Sequence, residues 1–528
     1  MSVDVAAELQ ALLAHHASLP QAAAPTANDA EALRFYATRG FTPAWVVDGR
    51  PTRQAEEAVS LLERADQQGL ASADYGAPYL RARLVTLQHG DHAASAHDLA
   101  VFDAELTLAL VRYTSHLAHG RIDPRRIYPD LQVDARPVDI AALLQRGLEG
   151  DRLAASIGSA APDLPLYAGL LRALAQYQVL AAGPALPLVP VPSGKIAPGT
   201  VFAGLPQLKE RLVAFGDLDA AALKRRDADR YSGSVVDAVK RFQYRHGLAD
   251  DGVLGQATVA ELNRPVAERV RQIEIALERL RWLPSKPTGR FLVVNIPEFK
   301  LVAFDPMQAG AHPLLEMPVI VGRAEKTPTP IFAGDVAYLD FSPYWNVPRS
   351  IAVKELLPKL KADPGYLSRE GMEVVGNGVR TELDAATLSE LERGALRLRQ
   401  RPGTKNALGG VKFMFPNVHD VYLHSTPSPK LFSRTRRDLS HGCIRVADPV
   451  ALAQFALEGR PSWDATRIRA SMSLPQPLRV NVSEPIPILI FYTTTVVDTQ
   501  DRIRFLPDIY GYDATLAQAL ARRTLAAH

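Results

Sequence analysis

The only thiol in this chain of 528 residues is Cys443, set in the run Ser440-His441-Gly442-Cys443-Ile444-Arg445. One imidazole, His441, lies two residues before it, and a second, His424, closes the upstream run Val421-Tyr422-Leu423. A thiolate is a strong nucleophile near neutral pH, and an imidazole can take the thiol proton and later deliver it to a leaving amine. Together these groups suffice for acyl transfer through a thioester. A lone Cys is otherwise a small buried hydrophobe, but packing gives no reason for the His-Gly before it and the Arg two residues after. A metal centre drawn from His419, His424, His441 and Cys443 is a poor alternative, because their separations match no common zinc site and no acidic general base accompanies them. No metal and no cofactor are expected.

The elements that must hold these groups are legible locally. Val421 to Leu423 is a short apolar run, predicting a buried strand whose end presents His424 at a loop mouth. His441-Gly442 predicts a tight turn, where glycine lets the backbone approach a substrate, and Cys443-Ile444-Arg445-Val446 alternates like a second strand. Asp448-Pro449 reads as an N-cap and first turn, opening a helix with Val450, Leu452, Phe455 and Leu457 on its apolar face. Two strand ends thus bring a thiol and an imidazole to one mouth.

At these residues the chain resembles the L,D-transpeptidases, cysteine enzymes that cross-link bacterial peptidoglycan. The pattern is a His, a gap, then Ser-His-Gly-Cys, an apolar residue and Arg; His424 and Ser440 to Arg445 match it, and Tyr422-Leu423-His424-Ser425-Thr426-Pro427 fits its opening. The chain is most similar to the large, multidomain periplasmic branch, in which a lid covers the substrate site. Asp448-Pro449 stands where many smaller relatives place Asn, so no role attaches to that position. The resemblance implies Cys443 as nucleophile and His424 as general base, oriented through its other ring nitrogen by a carbonyl near Ser425. His441 then shapes the turn or stabilises the thiolate. Candidate oxyanion donors are the amides of Gly442 and Cys443 with the Tyr422 hydroxyl. Arg445 holds a substrate carboxylate or braces the loop; Tyr422, Ser440, Ser425 and Trp345 complete the substrate-contacting set. Arg434, Arg436 and Arg437 either attract anionic stems or are simply solvated.

A chain of this length exceeds one hydrophobic core, so two to four domains are expected. A hydrophobic content of 47% describes a globular protein. The net charge of +3 comes without a long Lys/Arg tract and gives no support for a nucleic-acid partner. No run approaches a membrane span, and the opening MSVDVAAELQALLAHH lacks the basic-then-apolar order of an export signal. Either the chain acts in the cytosol or its export signal is absent from this sequence; the resemblance implies the second, with a periplasmic location.

The predicted fold is multidomain α+β. Residues 1–200 read as a helical scaffold: Leu99, Phe102, Leu106, Leu110, Tyr113 and Leu117 recur at helical spacing, as do Tyr167, Leu170, Leu171, Leu174 and Tyr177. Within it, Phe35-Tyr36 with Trp45 resembles the scaffold of the large L,D-transpeptidases. A Pro/Gly-rich connector over 183–199 follows. Residues 204–264 carry VVDAVKRFQYRHGLADDGVLGQATVAELN and resemble the three-helix peptidoglycan-binding module, with His246 expected as a helix C-terminal cap. Asp250-Asp251-Gly252 would serve equally as turn residues of any helical hairpin. A connecting helix over 265–288 shows one seam, Val266, Val270, Ile273, Leu277 and Leu280, returning to the scaffold. From 289 the period switches to two: FLVVNI and FKLVAF as a hairpin, then MPVIVG and DVAYLDF, open a mainly β catalytic domain extending to 512. A helical insertion at about 345–405 reads as a lid, with Trp345 walling the pocket or serving as a core or hinge aromatic. IPILIFYTTTVV is expected as a last strand, and 513–528 as a C-terminal helix free to fray.

The reaction implied by the resemblance has two steps. Cys443 attacks the third, L-configured residue of a donor tetrapeptide stem and expels terminal D-alanine, and a diamino-acid side-chain amine of an acceptor stem resolves the thioester. Peptidoglycan stems are the partner, carbapenem-type β-lactams the implied inhibitors, and other cell-wall synthases candidate partners. Water as acceptor, giving a carboxypeptidase, a lipoprotein lysine as acceptor, and a non-catalytic wall-binding scaffold are the alternatives.

Overall fold

The computed structural model describes residues 5–17, 27–89, 94–131, 133–224, 230–309, 312–381, 383–498 and 500–526; the expected domain limits at 1 and 528 lie outside the described residues. The chain divides into two compact units. The first gathers residues up to 129, 133–285 and 494 onward, and the second holds 286–493 with a short stretch at Asp130.

In the first unit the expected stripes are core. Helix α1 (Ala96–His119) buries Leu99, Phe102, Leu106, Leu110, Tyr113 and Leu117 and is capped by Ser95, whose side chain accepts from the Asp98 amide. Helix α2 (Pro165–Ala182) buries Tyr167, Leu170, Leu174 and Tyr177. Beneath them Asp103 is buried but satisfied: the Tyr36 hydroxyl donates to it at 2.7 Å and the Trp45 amide at 2.7 Å. Phe35, Tyr36 and Trp45 are therefore core residues.

Helix α3 (Val266–Arg281) departs from the single seam. It buries Ile273, Leu277 and Leu280, and also Arg269, Glu278, Arg279 and Arg281. Charges survive burial only when paired and hydrogen-bonded, and these are. Arg279 meets Asp513 and the Tyr128 hydroxyl, Arg281 donates to the Tyr167 hydroxyl and the Gln68 carbonyl, and Glu278 accepts from the amides of Arg121 and Ile122. A pattern that reads as a solvent face is interior because its partners come from distant chain.

The small module expected over 204–264 has its three helices at Leu205–Ala214, Ser234–Arg245 and Gln256–Leu262. Buried Gln243 knots it, donating to the Val253 carbonyl at 3.0 Å and accepting from the Gly252 amide at 2.8 Å. His246 caps the second helix and stacks on Phe242, 3.8 Å between centroids. The Pro/Gly-rich connector is strapped to this module: Asn263 exchanges two hydrogen bonds with the Val189 backbone, and Ile196 bridges Leu254.

Among the described residues, the second unit is built on a nine-stranded sheet. Its strands are β1 (Phe291–Asn295), β2 (Lys300–Phe304), β3 (Pro313–Gly322), β4 (Phe332–Phe341), β5 (Val411–Met414), β6 (Leu423–His424), β7 (Asp438–Ser440), β8 (Ile444–Val446) and β9 (Leu478–Phe491). Their order is β7-β3-β8-β6-β5-β4-β9-β1-β2, and β2 also pairs with β3, closing the sheet on itself. The β1–β2 hairpin lies where the alternation predicts it.

Two expectations for this unit are corrected. The last strand ends at Phe491; Thr495–Val497 instead pairs with Ile503–Phe505 in the first unit, so the second unit stops at Thr493 rather than at the expected 512. The apolar run is continuous across that point, so periodicity carries no sign of the departure. The insertion is also mixed rather than helical, with its own four-stranded sheet (order Trp345–Asn346, Arg397–Gln400, Met372–Val375, Val379–Arg380) and a small core including Leu356, Leu360, Leu367, Val374 and Leu398.

Candidate active site

Strands β6 and β8 run parallel, with Leu423 opposite Ile444 and His424 opposite Arg445, and the Ile444 amide donates to the Tyr422 carbonyl at 3.1 Å. This register carries Cys443, one residue before β8, alongside Tyr422. The half-buried thiol donates to the Asp420 carbonyl at 3.6 Å and lies beside Tyr422. Burial pushes the thiol above its ordinary pKa, and Tyr422 opposes that rise. Burial likewise keeps the Tyr422 phenol protonated.

His424 is buried, and its Nδ1–H donates to the Ser425 carbonyl at 2.6 Å. That bond fixes the tautomer and leaves Nε2 as the basic atom. Burial, with Arg445 nearby, lowers its pKa to about 3, so the imidazole is neutral across the physiological range.

The turn before the thiol is held from three sides. Ser440 Oγ donates to the Cys443 carbonyl at 2.5 Å and accepts from the Gly442 amide at 3.1 Å. Thr329 Oγ1 donates to the Gly442 carbonyl at 2.7 Å, and Thr327 Oγ1 to the Ser440 carbonyl at 3.1 Å. Gly442 has φ +115°, which side chains rarely adopt.

The Gly442 amide, an expected oxyanion donor, donates to Ser440 Oγ in this structure. Ser440 and Ser425, expected substrate contacts, both bond neighbouring backbone: buried Ser425 donates to the Leu408 carbonyl at 3.1 Å and accepts from the Val411 amide at 3.2 Å. Trp345 packs against the insertion's small core, which fits the core or hinge reading. In the basic run, Arg436 pairs with Asp438 at 2.7 Å and Arg437 turns to the carbonyls of Phe299 and Val319, so neither is simply solvated. Arg445 is half-buried, with its Nε lacking a partner.

Other contributors lay outside the motif. Glu355, on the insertion, accepts from His441 Nε2 at 2.6 Å, and nothing in its local sequence marks it. Gly409 (φ +62°) lies under the histidine brace, where a Cβ would stand 2.1 Å from Ser425 Oγ; the Gly409-Gly410 pair was the available signal. Asp420 holds φ +53° to aim its carbonyl at the thiol.

Comparison with known proteins finds three family matches along the chain. Residues 289–463 match the L,D-transpeptidase catalytic domain, 203–262 a family described as "Putative peptidoglycan binding domain", and 30–174 a scaffold domain. A Haemophilus influenzae protein described as "Putative L,D-transpeptidase" is 30% identical over 288 residues, covering 53% of this chain and 57% of that protein. The chain thus spans little more than half the length of the curated relative it matches. Among solved structures, a fused Zn-dependent amidase/peptidase/peptidoglycan-binding domain-containing protein from Clostridium acetobutylicum is 15% identical, covering 56% of this chain and 99% of its own, at TM-score 0.16. Bd1075 of Bdellovibrio bacteriovorus is 13% identical over 44% of this chain and 56% of its own, also at 0.16. At that score neither likeness bears on the fold.

Proposed function

The chain carries an L,D-transpeptidase catalytic domain and a peptidoglycan-binding domain, and on that premise we propose that it cross-links peptidoglycan stem peptides through a thioester on Cys443. Neutral His424 takes the thiol proton as sulfur attacks the carbonyl of the third residue in a donor tetrapeptide, then gives that proton to departing D-alanine. In the second step the acceptor amine attacks the thioester, His424 takes its proton and passes it to the departing sulfur, which leaves as the thiol. The Tyr422 hydroxyl and the Cys443 amide are the proposed oxyanion donors, and removing one such donor typically costs about 3 kcal/mol of barrier. The work is extracytoplasmic, in the periplasm, and carbapenem-type β-lactams acylate the same sulfur.

The observation that carries this reading is the parallel β6–β8 pairing, which sets the thiol against Tyr422 beside a histidine of fixed tautomer. Intact-mass measurement after incubation with a tetrapeptide stem or a carbapenem tests it. A single covalent adduct is expected on the wild type and none on Cys443→Ala. A folded wild type that takes no adduct would leave a wall-binding scaffold.

A further inference from the structure

Beside the catalytic turn lies a groove of about 530 Å³ whose cationic lining the transfer chemistry leaves unused. One wall is the turn after β3, with Arg323, Glu325 and Lys326; the other is the approach to β7, with Arg434, Arg436 and Asp438. Both walls are tied to the catalytic turn: the Arg323 amide donates to the Ser440 carbonyl at 3.1 Å, and the Ala324 amide to the Asp438 carboxylate at 3.4 Å.

Arg436 clasps Asp438 through two bonds at 2.7 and 2.9 Å, and those charges cancel. Glu325 is the other carboxylate of the lining, and Glu355 on the insertion acts on Arg323 from outside it, so Arg323, Lys326 and Arg434 outnumber the acids around them. Among the described residues, none of these three cations has a carboxylate within ion-pair distance. The same field reaches Arg445, whose charge Arg323 opposes and whose Nε is buried without a partner. The Arg434–Arg437 run is thus split by the fold: Arg434 and the Asp438-paired Arg436 line the groove while Arg437 turns to backbone carbonyls, and two further cations arrive from another turn.

Resting on the transpeptidase reading, we propose that this groove is a subsite for carboxylates of an anionic stem peptide whose reacting atom lies at Cys443. Guanidinium groups suit the task, because their planar forks meet a carboxylate with two parallel hydrogen bonds. The peptide is either the donor or the acceptor stem, and the test separates them.

Wild type and a Lys326→Ala/Arg434→Ala double variant are given stems whose non-terminal carboxylates are free or amidated. Thioester formation reads the donor; release of the thioester to a second stem reads the acceptor. In one of these steps the wild type is expected to show a KM about tenfold lower for the free acid, the size of one charge-assisted contact, and the double variant to lose that discrimination. Equal KM values in both steps for the wild type, or discrimination kept by the variant, overturn the groove. The wild-type comparison stands even if the variant fails to fold. A wild type alkylated by iodoacetamide yet never acylated by a stem overturns the transpeptidase reading, and the groove's ligand with it; acylation without discrimination removes the groove alone.

Discussion

At the scale of single residues, the site rests on a contrast between two buried titratable groups. Burial raises the Cys443 thiol and lowers His424 to about 3, so the resting pair is thiol and neutral imidazole rather than a preformed ion pair. The sign is direct: a histidine with a lowered pKa stays neutral, and able to accept a proton, well below pH 6.5. Carbapenem acylation of Cys443 is therefore expected to hold steady from pH 7 to pH 5. An ordinary imidazole acting as base would lose about thirtyfold over the same range. A stopped-flow profile that falls along one ionisation near 6.5 would refute this. The types of both groups were readable from the chain. Their protonation states were not, because burial by the folded chain sets them, with the Arg445 charge adding to the fall at His424.

At the scale of elements, the insertion reaches the catalytic turn through Glu355. It sits on a π-helical turn, Ala352–Leu356, a local widening often found where a helix serves a site. His441 draws the Glu355 carboxyl below the usual range. The pair is partly exposed, which limits its strength to about 1 kcal/mol. Glu355→Ala is accordingly expected to speed amide exchange across 349–362 up to about fivefold and to raise KM for stems. Unchanged exchange would reduce the pair to a surface contact. His441 was singled out by its motif, whereas its partner 86 positions away had no local signature.

At the scale of the whole molecule, the first unit is assembled from three separate stretches of chain around α3. Buried Arg279 takes its counter-charge from Asp513, 234 positions away in sequence and across the whole of the second unit's chain. Removing one partner of a buried pair typically costs about 3–5 kcal/mol. Asp513→Ala is expected to destabilise the first unit by that amount in denaturant unfolding. Asp501→Ala, which breaks the exposed Arg172–Asp501 pair, should leave the unfolding midpoint essentially unchanged. Equal effects would deny the C-terminal segment its structural part.

The sequence by itself determined what is periodic or chemically singular: the stripes of α1 and α2, the β1–β2 hairpin, the three-helix module, and a thiol and two imidazoles in a recognisable order. Those signals are local, since a few neighbouring side chains carry each. Tertiary structure alone decided the parallel β6–β8 register, the burial that neutralises His424, the interior position of the α3 arginines, the departure of the chain from the sheet after Thr493, and the meeting of Arg323, Lys326 and Arg434. Each depends on pairing between segments far apart in the chain, and no residue's neighbours in sequence encode which distant backbone will lie beside it.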